Sequence, residues 1–289
     1  MIINDCYICI SMLSIITTVH NQLPMNRLFL KSLRQHTHFP YELVVVDNGS
    51  RDGSAAFFER NGARVLRNKH NVAYPAAQNQ GAAMATGDYL VFMNNDVVVS
   101  RHWDKRLLEC MSHGKADIIS PASIDRAETK EATRQWRRKW KQIRWMTAFL
   151  GSRGYALELR KKLLYGAWDD FCENRWDIFG RHLVEGFAGH TLLMHRATFD
   201  KLGPWDERIL QADFDLYLRA RQRWELIGDV RPIALATGVF VHHYGRLTMR
   251  SHPEAWVHTQ PIIEIEDKWG AQAFLEKTAH LELHREFIA

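Results

Sequence analysis

The sequence lacks the features that mark several whole classes of protein. It has only 8 prolines and 4 cysteines in 289 residues, and no internal repeat is visible. With 46% hydrophobic and 25% charged residues, the composition excludes disordered, collagen-like and low-complexity chains. The length fits one large α/β domain or two small ones, and it is sufficient for a sizeable hydrophobic core.

The four cysteines are too few for a disulfide framework at this length. Cys6 and Cys9 form a single CxxC pair, without the second pair that a zinc site of this type needs. The pair also lies inside an apolar run, whereas a redox CxxC normally begins a helix. We therefore predict that all four, which include Cys110 and Cys172, are reduced thiols of a cytoplasmic protein.

No stretch of 18 uncharged apolar residues occurs, so no transmembrane helix is expected. Residues 6–19 are apolar enough to resemble the core of a signal peptide. However, no Lys or Arg precedes them and no small-residue cleavage site follows. We predict instead an N-terminal extension over residues 1–12 and a buried strand at Leu13–Val19.

The first half of the chain alternates strand and helix patterns. Its apolar strands are continuous rather than alternating, which is typical of a parallel sheet covered on both faces. We predict strands at Leu13–Val19, Glu42–Val46, Arg64–Arg67 and Asp88–Met93, with helices at Met25–Gln35, Gly53–Arg60, Tyr74–Ala85 and Trp103–Met111. Because such sheets bind ligands beyond the carboxyl ends of their strands, the loops after Val19, Val46 and Met93 should share one edge.

Residues 124–182 interrupt this alternation and predict a mostly helical insertion over or beside the cleft. The segment holds five tryptophans. Between residues 125 and 162, twelve basic and four acidic side chains give a local net charge of +8. Since the whole chain carries +5, the remainder carries −3, and the basic character is one local patch.

Three interpretations of this patch stay open. The first is a solvated helical face with Trp136, Trp140 and Ile143 packing inward at helical spacing. The second is contact of residues 126–162 with anionic lipid headgroups, which Trp combined with Arg and Lys suits. The third is nucleic acid, for which no sequence motif appears, so no nucleic-acid partner is expected.

After the insertion the alternation resumes. We predict a strand at Thr191–His195, helices at Ala197–Leu202 and Asp213–Trp224, and an extended segment at Arg231–Phe240. Residues 251–289 form a C-terminal tail with a helix at Ala271–His284.

Four polar segments are candidates for chemistry. Asp47 follows one buried strand, and Asp96 ends the Asn94-Asn95-Asp96 trio after another. Asp47 can accept hydrogen bonds from a base or ribose, or it can cap a helix or turn. Asp96 suits Mg²⁺ or Mn²⁺ beside a diphosphate, although a turn explains the trio equally well.

The other two segments lie later in the chain. Asp213 and Asp215 open a predicted helix, where an acid either complements the helix dipole or, facing a cleft, acts as a general base. His242 and His243 point in opposite directions if their segment is extended, so one could reach a metal while the other packs.

In order and spacing, these segments together resemble family 2 glycosyltransferases, which have the GT-A nucleotide-sugar fold. The bacterial O-antigen and rhamnosyl-transferring branches are the most similar. The resemblance covers residues 13–120 and 187–250, and it implies one GT-A domain over 13–250 with a Rossmann-like, mostly parallel sheet flanked by helices. It rests on Ser14–Asn21, Glu42–Gly53, Asn71–Asn95 with Asp96, Leu202–Arg219 and Val241–Gly245.

The resemblance implies a role for each matching position. Asp213 would be the general base, and Asp96 with His243, or else His242, would hold Mg²⁺ or Mn²⁺. The acceptor side would include Trp205, Asp206 and Asp215. The donor nucleotide sugar would contact Thr18, His20, Asp47, Asn71, Asn79, Asn94 and Asn95.

Two positions depart from the family pattern. The metal motif is Asn-Asn-Asp rather than Asp-x-Asp, which leaves a single carboxylate at Asp96. Ala212 stands where the family usually has Glu before the base. The second departure motivates an alternative, a degenerate transferase domain that only binds. A sugar-phosphate nucleotidyltransferase is a further alternative, which the loop His20–Pro24 disfavours because it is neither glycine-rich nor strongly basic.

The function implied is inverting transfer of a sugar from a nucleotide-diphosphate sugar to a hydroxyl of a glycan or lipid-linked saccharide. The reaction would be metal-assisted and would serve cell-surface polysaccharide synthesis. The expected location is the cytoplasm, with peripheral contact at the inner face of the membrane.

Overall fold

The computed structural model describes residues 12–245, 258 and 260–281. Its first part alternates strands and helices, as the apolar runs predict. In chain order these elements are β1 (Leu13–Val19), α1 (Leu23–His36), β2 (Tyr41–Asp47), α2 (Ser54–Arg60), β3 (Arg64–Arg67), α3 (Tyr74–Met84), β4 (Tyr89–Met93), β5 (Val97–Val98), α4 (Trp103–Gly114) and β6 (Ile118–Ala122).

The remaining elements comprise the helical insertion, a second set of strands and two C-terminal helices. A short 3₁₀ helix, Ala148–Leu150, follows the first helix of the insertion. The elements are α5 (Lys130–Met146), α6 (Gly154–Tyr165), α7 (Trp168–Phe179), β7 (Leu183–Glu185), β8 (Thr191–His195), α8 (Arg196–Leu202), α9 (Ala212–Leu226), β9 (Ala234–Phe240), β10 (His242–His243), α10 (Ile265–Trp269) and α11 (Ala271–Thr278).

Eight strands form one mixed sheet in the order β3-β2-β1-β4-β8-β6-β9-β7. The β1–β2, β1–β4, β2–β3 and β6–β9 pairs are parallel, whereas β8 runs antiparallel to both β4 and β6. The carboxyl ends of β1, β2, β4, β6 and β9 therefore meet the amino end of β8 at one edge. The shared edge predicted for the loops after Val19, Val46 and Met93 is confirmed.

Both faces of this sheet are covered. Successive strand residues point to opposite faces, so Ile15 packs into one core with Phe29 of α1 and Trp103 of α4. Its neighbour Ile16 packs into the other core with Leu216 of α9. Burial on both sides explains why the strands are continuously apolar.

The insertion packs as the helical-face interpretation predicts. Trp140 and Ile143 are each only 7% exposed, and Trp136 is half-buried against the core. The opposite face of α5 carries Lys141 and Trp145 into solvent.

The C-terminal helices lie against α9. The Lys268 ammonium of α10 contacts Asp215 at 2.6 Å and Asp206 at 2.8 Å, and Phe274 of α11 is buried. The predicted helix from Ala271 ends at Thr278 and is followed by a 3₁₀ turn to Leu281; its last three residues, 282–284, lie outside the described part of the chain.

Two further expectations bear on the whole chain. Cys110 and Cys172 are free and buried, as predicted, whereas Cys6 and Cys9 and nearly all of the 1–12 extension lie outside the described residues. Within residues 12–245, 258 and 260–281, no helix has the length and apolarity that crossing a bilayer requires.

Candidate active site

A cavity of about 450 Å³ opens at the edge where the strand ends meet. Segments far apart in the sequence form its wall, because each leaves the sheet at this edge. Eight of the residues predicted from sequence line it: Thr18, His20, Asn71, Asn94, Asn95, Asp96, Asp213 and His243.

Hydrogen bonds hold the wall beyond β1 and β2. The Nδ1 atom of His20 lies 2.8 Å from the carbonyl oxygen of Asn48, which also lines the cavity. The side chain of Asn48 in turn donates to the carbonyl of Val72 at 3.0 Å and accepts from Asn68 at 2.9 Å.

Asp47 lies behind this wall rather than in it. Its side chain is buried, and one carboxylate oxygen accepts from the Ser50 amide at 3.2 Å, which is the turn geometry that its position also predicted. Burial raises the pKa of Asp47. It is not among the residues that line the cavity.

At the end of β4 the structure brings Asp96 and His243 together. Strand β10 pairs with β5, and the Tyr244 amide donates to the Asp96 carbonyl at 2.9 Å. The His243 Nε2 atom then lies 3.0 Å from an Asp96 carboxylate oxygen, while its Nδ1 lies 2.5 Å from Asp125. One imidazole therefore bridges two carboxylates.

The charges in this trio stabilise one another. Burial alone would lower the pKa of His243, but Asp96 and Asp125 outweigh it and raise the pKa to about 10. Burial likewise opposes ionisation of Asp125, yet the His243 charge lowers its pKa to about 2. In the absence of other cations, the imidazolium is thus the positive charge between the two carboxylates.

A second histidine, His190, lies beside this trio. It immediately precedes β8, and its ring centroid is 4.7 Å from that of His243. Its Nδ1 pairs with the Thr191 hydroxyl at 3.0 Å, and burial, followed by the charge of His243, lowers its pKa to about 3. Its Nε2 is buried without a hydrogen-bond partner among the described residues.

Asp213 lies in the first turn of α9, half-buried, on the same cavity. One carboxylate oxygen accepts from the Phe214 amide at 3.0 Å, and burial raises the pKa of Asp213 to about 6. The other approaches Gly189 so closely that a Cβ there would lie 2.0 Å from it. Asp213 also lines a second cavity of about 120 Å³ with Lys130, Arg137, Phe187 and Phe214.

Two predicted residues point elsewhere. Asn79 on α3 donates to the Trp205 carbonyl at 2.9 Å and to Glu207 at 3.0 Å, and accepts from the Trp205 amide at 2.8 Å. His242 is buried among aromatic rings, with Nδ1 2.9 Å from the Tyr165 hydroxyl. Of the two adjacent histidines, His243 is the one on the cavity.

The three residues predicted for the acceptor side do not line the larger cavity. They lie in the first turns of α9 and in the segment before it. Trp205 is buried against Phe92. Asp206 pairs with Lys268, and Asp215 accepts hydrogen bonds from Arg219 and from the Trp269 indole, each at 2.9 Å.

Sequence reasoning missed Asp125 and His190. Asp125 follows β6 by three residues, which is the same signal that points to Asp47 and Asp96, but its place at the start of the basic insertion hides that signal. His190 carries no such signal, because it comes before a strand. Only the antiparallel direction of β8 brings it to this edge.

The polar cluster has a donor set that suits a divalent cation. Asp125, His190 and His243 offer ligand atoms that all lie within 4.8 Å of one another, and Asp96 contacts His243. Carboxylate oxygens and imidazole nitrogens are common ligands of such ions.

Comparison with known proteins identifies the family. The family model described as Glycosyl transferase family 2 matches residues 14–176, which is more than half of the chain. The chain belongs to glycosyl transferase family 2. The match contains Asp96 and Asp125 but ends before Gly189, Asp213 and His243.

Individual relatives agree with this assignment. The chain is 23% identical over 113 residues to the glycosyltransferase GlyG of Streptococcus pneumoniae serotype 4, covering 37% of this chain and 38% of that protein. It is 29% identical over 114 residues to the uncharacterized glycosyltransferase EpsJ of Bacillus subtilis, covering 38% and 33%. The chain thus spans about a third of the length of these relatives.

Among solved structures, S. aureus TarS 1–349 has a TM-score of 0.50 and 14% identity, covering 81% of this chain and 60% of that one. This likeness concerns the fold alone. The predicted fold class, an α/β GT-A type with a mostly parallel sheet, is confirmed.

Proposed function

We propose that this family 2 glycosyltransferase moves a sugar from a nucleotide-diphosphate sugar to an acceptor hydroxyl, with inversion at the anomeric carbon. The acceptor would be a glycan or lipid-linked saccharide in cell-surface polysaccharide synthesis. The observation that carries the proposal is the position of Asp213, which lines both the larger cavity, with its cluster of Asp and His side chains, and the smaller one. A base between two cavities can contact a donor in one and an acceptor in the other.

Asp213 is suited to general base catalysis. A base is most effective when its pKa lies near the working pH, and burial raises the pKa of Asp213 to about 6. Its carboxylate would take the acceptor proton as the hydroxyl oxygen bonds to the anomeric carbon. The bond from that carbon to the diphosphate oxygen breaks on the opposite face, which inverts the configuration.

The leaving group requires positive charge. A bound Mg²⁺ or Mn²⁺ would offset the charge on the departing diphosphate, and Asp96 and His243 are the residues proposed to hold it. Thr18, His20, Asn71, Asn94 and Asn95 face the same cavity and are proposed to bind the nucleotide and sugar. Asp47, behind them, would hold the turn in which Asn48 lies.

The proposed acceptor-side residues would act by positioning. Asp215 is fully buried and bonded to Arg219, Lys268 and Trp269, so it fixes the start of α9. Because Asp213 lies two residues earlier, its direction depends on this anchor. Trp205 and Asp206 support the same region from the segment between α8 and α9.

The partner proposed for the insertion is an anionic membrane surface. On α5, Arg138, Lys141 and Trp145 follow one another at helical spacing, and Arg138 and Lys141 make no ion pair with a described residue. Trp145 is 81% exposed and Phe149 is 83% exposed. Exposed aromatic side chains flanked by cations suit the interface of anionic lipids, where lipid-linked acceptors lie. The protein would then work at the inner face of the membrane.

A thermal-shift panel tests the proposed activity. UDP, GDP, dTDP and CDP sugars are compared with and without Mn²⁺, and the stabilising donor is then assayed for hydrolysis and for transfer. We expect one nucleotide class to raise Tm and its donor to be turned over. Stabilisation without any turnover would instead support the degenerate binding module that Ala212 suggests, and stabilisation by none of them would refute donor binding.

A further inference from the structure

The cation site of this chain contains two residues that its motif does not supply. We propose that Asp125 and His190 are ligands of the divalent cation together with His243, and that the two imidazoles make the site select transition ions over Mg²⁺. The inference rests on the proposed function, since it concerns the ion that would assist transfer.

Asp125 supplies a carboxylate that the metal motif of this sequence lacks. The trio Asn94-Asn95-Asp96 provides one carboxylate where the family pattern has two. Asp125 brings a second carboxylate to the same cavity from the end of β6, and it contacts the same imidazole as Asp96 does. Two carboxylates therefore flank His243 although only one belongs to the motif.

His190 has a ring nitrogen available for ligation. The Nδ1 atom is engaged by the Thr191 hydroxyl at 3.0 Å, which leaves Nε2 as the other ligand atom. His190 is only 3% exposed, and its Nε2 has no hydrogen-bond partner among the described residues. A buried polar nitrogen without a hydrogen bond lowers the stability of the fold, and a ligand bound at Nε2 would offset that loss.

The arrangement also matches the second shell of known metal sites. A metal-binding histidine normally gives its other ring nitrogen to a carboxylate, a backbone carbonyl or a water, which fixes its orientation. The Thr191 hydroxyl takes this place for His190, and the Asp96 carboxylate takes it for His243, on the ring nitrogen opposite Asp125.

The donor atoms decide which ion is preferred. Mg²⁺ takes oxygen ligands in octahedral geometry and loses its water reluctantly, whereas imidazole suits the first-row transition ions. A set with two imidazoles and one carboxylate should therefore bind Mn²⁺ and Co²⁺ more tightly than Mg²⁺. A site built on Asp96 and Asn95 alone would show no such preference.

The test measures metal binding by the whole chain without sugar nucleotide. Mn²⁺ is titrated and followed by electron paramagnetic resonance, with Mg²⁺ as competitor, and pulsed measurements record coupling to ¹⁴N. We expect Mn²⁺ to bind at least about tenfold more tightly than Mg²⁺, with coupling to imidazole nitrogen. Co²⁺ should give visible absorption bands typical of nitrogen coordination.

Variants identify the ligands. His190→Ala and the near-isosteric Asp125→Asn should each weaken Mn²⁺ binding about tenfold or more, in the range seen when supporting metal contacts are lost. His113→Ala, on the exposed face of α4, is the matched control and should bind as the unaltered protein does. If His190→Ala fails to fold, Asp125→Asn and the ¹⁴N signal of the unaltered protein decide the matter.

Three results would overturn the inference: equal affinity for Mn²⁺ and Mg²⁺, no ¹⁴N coupling, or unchanged Mn²⁺ binding in both variants. None of these results bears on the proposed activity, which is tested by stabilisation of the protein by a sugar nucleotide and by turnover of that donor. Conversely, a Mn²⁺ site with the expected ligands in a chain that turns over no donor would leave this inference standing and remove the proposed function.

Discussion

Asp213 is an ionisable carboxylate in a half-buried position. Burial raises its pKa to about 6. Below that pH the base is protonated, so we expect the transfer rate to fall about tenfold per pH unit under pH 6 and to level off above it. A rate that stays constant from pH 5 to pH 8 would rule out this group as the base.

Replacement of the same residue separates catalysis from stability. Asp213→Asn should abolish transfer while donor binding stays nearly intact. Because burial raises the pKa of Asp213 in the folded state, its ionisation lowers the free energy of unfolding as pH rises from about 4 to about 6. The variant avoids this loss, so its Tm should exceed that of the unaltered protein at pH 7.5 but not at pH 4. Calorimetry at both pH values measures it, and turnover at the original rate would exclude the assigned role.

Gly189 matters because it has no side chain. A Cβ there would lie 2.0 Å from the Asp213 carboxylate and 2.9 Å from its Cγ, so the side chain must shift to admit it. Gly189→Ala should therefore reduce kcat about 100-fold, the scale expected of a misplaced catalytic group. Gly154→Ala at the start of α6, where nothing lies within 4 Å of the added atom, should have no effect. Equal rates for the two variants would contradict the close approach.

At the scale of elements, two asparagines that the sequence could not tell apart have different surroundings. Asn71 lines the cavity before α3, whereas Asn79 within α3 makes three hydrogen bonds to Trp205 and Glu207. Asn79→Ala should lower the free energy of unfolding by about 1–3 kcal/mol and leave donor affinity unchanged. Asn71→Ala should weaken donor binding and leave the free energy of unfolding nearly unchanged. Denaturant unfolding and donor titration on both variants test this, and a donor-binding defect in Asn79→Ala would restore its predicted role.

The same contrast shows what the sequence can predict. The strands β1 to β4 and the edge they share follow from apolar runs and the rule for parallel sheets. Asp125 follows from the same rule applied to β6. An apolar run such as Thr191–His195, in contrast, predicts a strand but does not indicate whether it runs parallel or antiparallel to its neighbours. For that reason His190 could be placed only by the structure.

Side-chain direction is a second limit. The doublet His242-His243 predicts that one ring faces the site, and only the pairing of β10 with β5 decides that it is His243. The positions of Asp206 and Asp215 depend on Lys268, which lies more than fifty residues further along the chain. No local pattern contains such a contact.

At the scale of the whole molecule, the charge is segregated. Residues 125–162 carry a net charge of +8 and the exposed aromatic residues Trp145 and Phe149, while the rest of the chain carries −3. We expect the protein to sediment with vesicles that contain phosphatidylglycerol and not with neutral phosphatidylcholine vesicles, and to dissociate at high salt.

Two double variants locate the contact. Trp145→Ser with Phe149→Ser should remove most vesicle binding. Leu226→Ser with Ile227→Ser changes residues that are 76% and 62% exposed at the end of α9, away from the insertion, and should not. Equal losses in both would show that general hydrophobicity, rather than this surface, drives the association.

Gly189 and His190 are consecutive residues, yet one contacts the proposed base and the other the proposed cation site. A single peptide unit just before β8 therefore lies between the proposed base, which would accept the acceptor proton, and the proposed cation site, which would offset charge on the leaving group. On one side the Asn94 amide donates to the His190 carbonyl at 2.9 Å, and on the other the Ser120 hydroxyl donates to the carbonyl of the neighbouring Ala188 at 3.1 Å. Any displacement of this unit would therefore move the proposed base contact and the proposed cation ligand together.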